Sequence, residues 1–289
     1  MDKEKKAFED FWDHEVGYFK EIAKESLEKN KWNVENQIEY MNNCIDLFDI
    51  NKYYQRDEIT NSISALFLFY SFKELRWVIH EILSGAYFEA IRDLRFIFET
   101  VVWAHFLDEW IDEKTKEYLK AGVGAGISLK YEILELKDEI YDAKGYRKKK
   151  NEREIIIKDT VGKFIEKHAQ DFTNEEKEKY KELYFKILKN LGIGFSGKKG
   201  LIAKLPLEEG DKEKLDKLYS ELSKYIHPSH RILKPFYEVD PGLVFTFGFE
   251  QKLFDDCFKF LGKVMDLSYA ILYIHFERLR GCLKSTKLL

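Results

Sequence analysis

The chain has 289 residues, of which 45% are hydrophobic, 16% aromatic and 35% charged, with 4 prolines; this balance suits long amphipathic helices with solvated outer faces and a sizeable core. A formal net charge of -4 excludes a global basic field for nucleic acid, so any such contact has to be a local patch. Cys44, Cys257 and Cys282 are odd in number and far apart, which argues against a disulfide framework and for a reducing compartment.

The first residues, Met1 to Lys6, are charged and lack an apolar export segment. Phe8, Trp12, Val16, Phe19 and Ile22 stand at helical spacing and predict a helix over 2–28. Asn30-Lys31-Trp32-Asn33 reads as a break, with Asn33 the N-cap of a second helix over 34–53 built on Ile38, Met41, Ile45 and Phe48. A long apolar stretch runs from Asp57 to Ser84. Its most apolar part, Ile63 to Phe72, is too short to span a bilayer and is soon followed by Lys73, Glu74 and Arg76. No membrane partner is expected, and a cytoplasmic location is. Usage rich in Lys and Glu and poor in Met and Cys fits a heat-adapted composition.

Gly85 allows a bend before a helix predicted over 86–110. That helix carries two apolar rows side by side, Ala90, Leu94, Ile97, Val101, Ala104 and Ile91, Arg95, Phe98, Val102, His105. Two adjacent rows mean a wide buried face, which places this helix in the middle of the fold. Gly122, Gly124 and Gly126 mark a loose junction. Charged helices follow over 127–143 and 152–170, separated by a basic run from Lys144 to Arg153, and then a helix over 174–191. The segment 192–210 reads as a loop. A helix over 211–226 uses Leu215, Leu218, Leu222 and Tyr225 and stops at Pro228. Phe236 to Phe247 could form one small β-hairpin, the chain's sole credible sheet. The last helix, over 250–279, has two full apolar rows, one of them through Cys257. The expected fold class is an all-α multi-helix bundle, a single helical domain over 1–289 with 1–55 as an N-terminal extension.

Two constellations carry chemistry. Tyr219, Ser223 and His227 are four apart and make a polar line at the edge of the core; Pro228 then turns the chain so that His230 and Arg231 come near. Histidine moves protons near neutral pH and arginine holds phosphate in bidentate fashion, so acid–base chemistry on a phosphate or acyl group is one reading. The other reading is a helix stop, with Ser223 bonded to a carbonyl one turn back and His227 satisfying the last carbonyls. On the 86–110 helix, Arg92, Arg95 and Glu99 share one face, and Arg95 interrupts an apolar row. A guanidinium at a buried edge needs a partner, and Glu99 is the obvious one, either as a site or as a structural pair. His80 and His105 read as rim or core histidines. No metal and no cofactor is expected, because Pro228 breaks the helical geometry usual for paired metal-binding histidines.

Leu94-Arg95-Phe96-Ile97-Phe98-Glu99-Thr100 resembles an Arg-x-x-x-Glu helix found in a group of prokaryotic all-helical proteins, and Tyr219 to Ser229 resembles that group's Tyr-x-x-Leu-Ser-x-x-x-His-Pro-Ser signature. The resemblance covers about 86–279, and the group is similar in style to the HEPN superfamily. It implies a helical bundle, a homodimer, and an Arg and a His near one another. It also implies RNA or nucleotide binding, with metal-independent RNA cleavage in a defence or toxin–antitoxin setting. Arg76-x-x-x-His80 is one residue shorter than the usual HEPN nuclease motif. In the resulting expectation His227, Ser223, Arg95 and Glu99 form the catalytic set and Tyr219, His230, Arg231 and Arg92 bind the ligand. The alternative from another class is a non-catalytic helical protein that engages a protein partner, in which the same cluster is structural.

Overall fold

The computed structural model describes residues 2–46, 63–119, 127–143, 148–189, 197, 200–205, 207–226 and 249–279, with some side chains inside those helices left out. Among the described residues every regular element is helical: α1 (Asp2–Asp46), α2 (Ile63–Leu83), α3 (Tyr87–Leu119), α4 (Ile127–Asp142), α5 (Lys150–His168), α6 (Asn174–Leu188), a 3-10 turn (Ile202–Lys204), α7 (Glu209–Ile226) and α8 (Gln251–Leu279). The fold is an all-α multi-helix bundle. The hairpin expected near 236–247 and the glycines at 122–126 lie outside the described residues. The chain divides into two compact units, Met1–Gln55 with Phe67–Val101 and Leu207–Leu289, and Arg56–Leu66 with Val102–Pro206.

The first unit contains α1, most of α2, the first half of α3, α7 and α8. Its core is built from Leu75, Val78 and Ile82 of α2, Ala90, Ile91, Leu94 and Phe98 of α3, Leu218 and Leu222 of α7, and Phe254, Leu261 and Met265 of α8, all buried. Both apolar rows of α3 are buried except at Arg95, as their spacing predicts. The break predicted at Asn30 is a kink at which two helices meet within α1; Asn33 lies inside the second and does not cap it, and 47–53 of that predicted helix lie outside the described residues. The interruption shrinks to one non-helical residue, Asn30, at φ -127 and ψ 20. Its amide nitrogen donates to the Ser26 carbonyl at 3.2 Å, and its amide oxygen accepts from Gln251 Nε2 at 3.0 Å. A side chain thus takes over a carbonyl the kink would release, and the helix continues.

At the end of α2, Gly85 has φ 80, in the left-handed region, and the Ala86 N–H donates to the Glu81 carbonyl at 2.9 Å. This is the six-to-one bond of a Schellman stop, so the glycine ends α2 and sends the chain into α3 two residues later, at Tyr87. The start of α8 is held by Glu250, whose carboxylate accepts from the Leu253 N–H, while the Glu250 N–H donates to the Tyr87 hydroxyl at 3.1 Å.

The second unit contains the rest of α3 with α4, α5 and α6. Ile133, Leu136 and Ile140 of α4, Ile157 and Val161 of α5, and Leu183 and Ile187 of α6 are buried. Thr173 caps α6 in a reciprocal box with Glu176. The Tyr184 hydroxyl donates to Glu132, tying α6 to α4. Asp108 on α3 is 3% exposed and accepts from three groups, the Lys130 ammonium at 2.7 Å and the Ile63 and Ser64 N–H groups at 3.1 and 2.8 Å. It caps the N-terminus of α2 from another helix, and the negative charge sits where the helix dipole favours it.

Candidate functional site

Arg95 and Glu99 occupy the same face of α3 one turn apart, and the guanidinium Nε donates to the Glu99 carboxylate at 2.8 Å. The Arg95 Nη2 donates to the Tyr219 hydroxyl of α7 at 3.1 Å. The guanidinium carbon lies 5.1 Å from the centre of the Tyr219 ring, and that ring sits 6.1 Å from the Phe98 ring. Two helices meet at this point through Arg95 and Tyr219. Leu94 and Phe98 on one helix and Leu218 and Leu222 on the other are buried.

The electrostatics follow from partial burial. Burial of the guanidinium pulls its pKa down, but the bond and charge of Glu99, with Tyr219, outweigh this and raise it. Arg95 stays cationic at every working pH. Its side chain is 18% exposed and that of Glu99 is 29% exposed, so the pair is oriented and still reachable from solvent. A guanidinium has five N–H groups in a fixed fork; two are committed to Glu99 and Tyr219, which leaves three for an anion.

The remaining residues of the predicted site are distributed differently. The Ser223 hydroxyl donates to the Tyr219 carbonyl at 2.6 Å, a back-bond within the helix. Arg92 is 63% exposed and donates to Asp93 at 3.2 Å, away from the Arg95 fork. His227, His230 and Arg231 lie outside the described residues. His105 is fully buried, and His80 is exposed with its ring 6.0 Å from that of Trp77.

No protein-family model, curated protein or solved structure matches this chain. The site therefore rests on its own geometry.

Three groups outside the cluster carry perturbed or buried charge that their local sequence does not announce. Asp108 and Lys130 form the buried pair described above. Glu81, near the end of α2, has one carboxylate oxygen buried without a hydrogen-bond partner. Burial first, and the Asp93 carboxylate second, push its pKa up to about 7, against a smaller opposing pull from Arg92. A groove of about 940 Å³ runs between α5 and α6 past Lys158, Glu175, Glu178 and Phe185. Its lysines are largely paired, Lys179 with Glu175 and Lys181 with Glu178, so it presents no converging charge. Among the described residues no three His, Cys, Asp or Glu side chains are grouped to hold a metal ion, and no helix is long and apolar enough to cross a membrane.

Proposed function

We propose that this chain binds RNA or a nucleotide through a phosphate group held by Arg95. One observation carries the reading: a guanidinium fixed by Glu99 and Tyr219, partly open to solvent, with N–H groups to spare. Pre-orientation matters because an arginine already held in position loses less freedom when it grips an anion. In the cleaving version, His227 takes the 2′-hydroxyl proton, and the 2′-oxygen bonds to phosphorus as the P–O5′ bond breaks to leave a 2′,3′-cyclic phosphate. The departing 5′-oxygen takes a proton from water, and Arg95 or Arg231 stabilises the charge that develops on the phosphoryl oxygens. The HEPN-like resemblance and a homodimer belong to the same proposal.

The test is direct. The purified chain at low salt should bind a labelled single-stranded RNA or a nucleotide. If it cleaves, His227→Ala should abolish cleavage and keep binding. Intact RNA together with no bound nucleotide would remove the proposal.

A second reading is a non-catalytic helical protein that engages a protein partner, with the Arg95 cluster as a structural clasp. The Ser223 hydroxyl favours it, because its bond to the Tyr219 carbonyl is what a helix-end serine makes for structural reasons. Under that reading, His227→Ala and Ser223→Ala lower the melting temperature and change no binding or cleavage.

A further inference from the structure

The second unit carries a concentration of positive charge at one end. Residues 143–151 contain five lysines or arginines and residues 183–207 five lysines, and neither stretch holds an aspartate or glutamate. The chain as a whole has 48 basic and 52 acidic residues, so two such stretches stand apart. The fold brings described parts of both together. The short turn at 169–173 makes α5 and α6 antiparallel, with the Phe164 and Tyr184 rings 6.1 Å apart and Lys158 over Phe185. The start of α5 is therefore level with the end of α6.

Five cations at this end have no ion-pair partner among the described residues. They are Lys149 and Lys150, both exposed, Arg153, whose Nε is buried without a hydrogen bond, Lys158 and Lys189. Three bordering carboxylates each have a lysine of their own: Glu152 lies 3.9 Å from Lys148, Glu182 3.1 Å from Lys186 and Asp159 2.7 Å from Lys163. Glu154 on α5 and Glu139 and Asp142 on the last turn of α4 remain, three against five. Lys158 and Lys189 both lie over the Phe185 ring, 5.1 and 5.6 Å from its centre. That ring is half-buried and lines the groove of about 940 Å³ between the two helices. An ammonium resting on an aromatic face is weakly held, so a phosphate draws it off and uncovers the ring.

We propose that this end of the second unit binds single-stranded RNA, with phosphates on Lys149, Lys150, Lys158 and Lys189 and a base on the Phe185 ring. Alternation favours RNA over an acidic peptide. A single strand presents phosphate, base and phosphate in turn, and the surface presents ammonium, ring and ammonium. The positive end of the α5 dipole adds to the field at Lys149 and Lys150. An anionic bilayer fits less well, because the exposed apolar side chain of α5, Ile155, shares its face with Glu152 and Asp159. Arg95 takes no part in this surface, which stands independently of it.

The experiment is fluorescence anisotropy of labelled octauridylate between about 50 and about 200 mM salt. Lys149→Gln/Lys150→Gln/Lys158→Gln/Lys189→Gln should bind at least about tenfold more weakly than the native chain at the lower salt. Its salt slope should fall by about 3, from four contacts at about 0.7 each. Phe185→Leu should weaken binding about tenfold with the slope unchanged, as expected for a lost stack. Glu154→Gln should strengthen binding, since it removes the unpaired carboxylate between Lys150 and Lys158. Lys20→Gln/Lys24→Gln/Lys31→Gln/Lys252→Gln has the same change in net charge and should leave affinity and slope as they were. Circular dichroism should show native helical content in every variant. The proposal is overturned if the first quadruple variant keeps the native affinity and slope, if the control loses as much, or if the native chain binds no octamer. It is also overturned if octaglutamate displaces the RNA as well as unlabelled octauridylate does, which would point to an acidic protein. Octamer binding that survives Arg95→Gln but not the first quadruple variant upholds it whatever becomes of the Arg95 reading.

Discussion

The Arg95 guanidinium donates to the Tyr219 hydroxyl at 3.1 Å, joining two helices across 124 residues of sequence. The same side chain is clamped by Glu99 on its own helix, so its fork points one way. A double-mutant cycle of Arg95→Gln and Tyr219→Phe in urea denaturation should give a coupling energy of about 1 kcal/mol, the net worth of a partly exposed charge-assisted hydrogen bond. Additive effects would mean that the two groups do not meet in solution.

Lys130→Met should be among the most damaging single substitutions in the second unit. It removes the cation that compensates Asp108 in a site where both side chains are 3% exposed, and the stranded carboxylate still faces the N-terminus of α2. A loss of about 3–5 kcal/mol is expected on breaking such a pair. The Asp108→Asn/Lys130→Met double variant should recover part of that loss, because the carboxylate left without its cation is then Asp112, which Lys130 also reaches at 3.2 Å but which is 34% exposed. Chemical denaturation of the three proteins decides it; equal destabilisation of single and double variants would contradict the account.

Glu81 makes stability depend on pH. Its folded pKa of about 7 stands above the ordinary carboxylate value of 4.5, so the folded chain holds a proton that the unfolded chain releases. Stability from this group therefore falls as pH rises from about 4.5 through about 7 and is level above. Because the side chain is partly solvated, the effect is about 1 kcal/mol once screening is allowed for. Glu81→Gln should flatten the melting-temperature profile between pH 5 and 8 and raise its alkaline end. An unchanged profile would show that the carboxyl titrates normally.

Gly85→Ala should cost about 1 kcal/mol, because the residue sits at φ 80 where a Cβ is strained. Gly85→Asn should cost less, since asparagine tolerates the left-handed region. Thermal denaturation of both variants checks the order.

Much of the architecture was legible because period and burial agree. The paired rows of α3 through Leu94 and Phe98 are buried except at Arg95, and α8 begins one residue from its expected start, at Gln251. The break of α1 at Asn30 was legible in local sequence, but the Gln251 amide that supports the kink was not, because it comes from the far end of the chain. Asp108 and Lys130 were silent for the same reason. Each is an ordinary charged residue in an amphipathic pattern, and the three donors that converge on Asp108 come from α2 and α4.

At the candidate site, Arg95 and Glu99 could be paired from spacing alone. Tyr219 was marked by its place in a polar line with Ser223. That its hydroxyl, and not a histidine, takes the arginine's Nη2 needed the packing of α3 against α7 to be seen.

The central claim is that the Arg95 guanidinium is the phosphate-holding group. Its most direct test is calorimetric titration of uridine monophosphate at low salt into the native chain and into Arg95→Gln, with helical content checked in both. The account predicts saturable binding that weakens by about tenfold or more in the variant, as expected for losing a charge-assisted bond. Equal affinity in the two proteins, or none in the native chain, would contradict it.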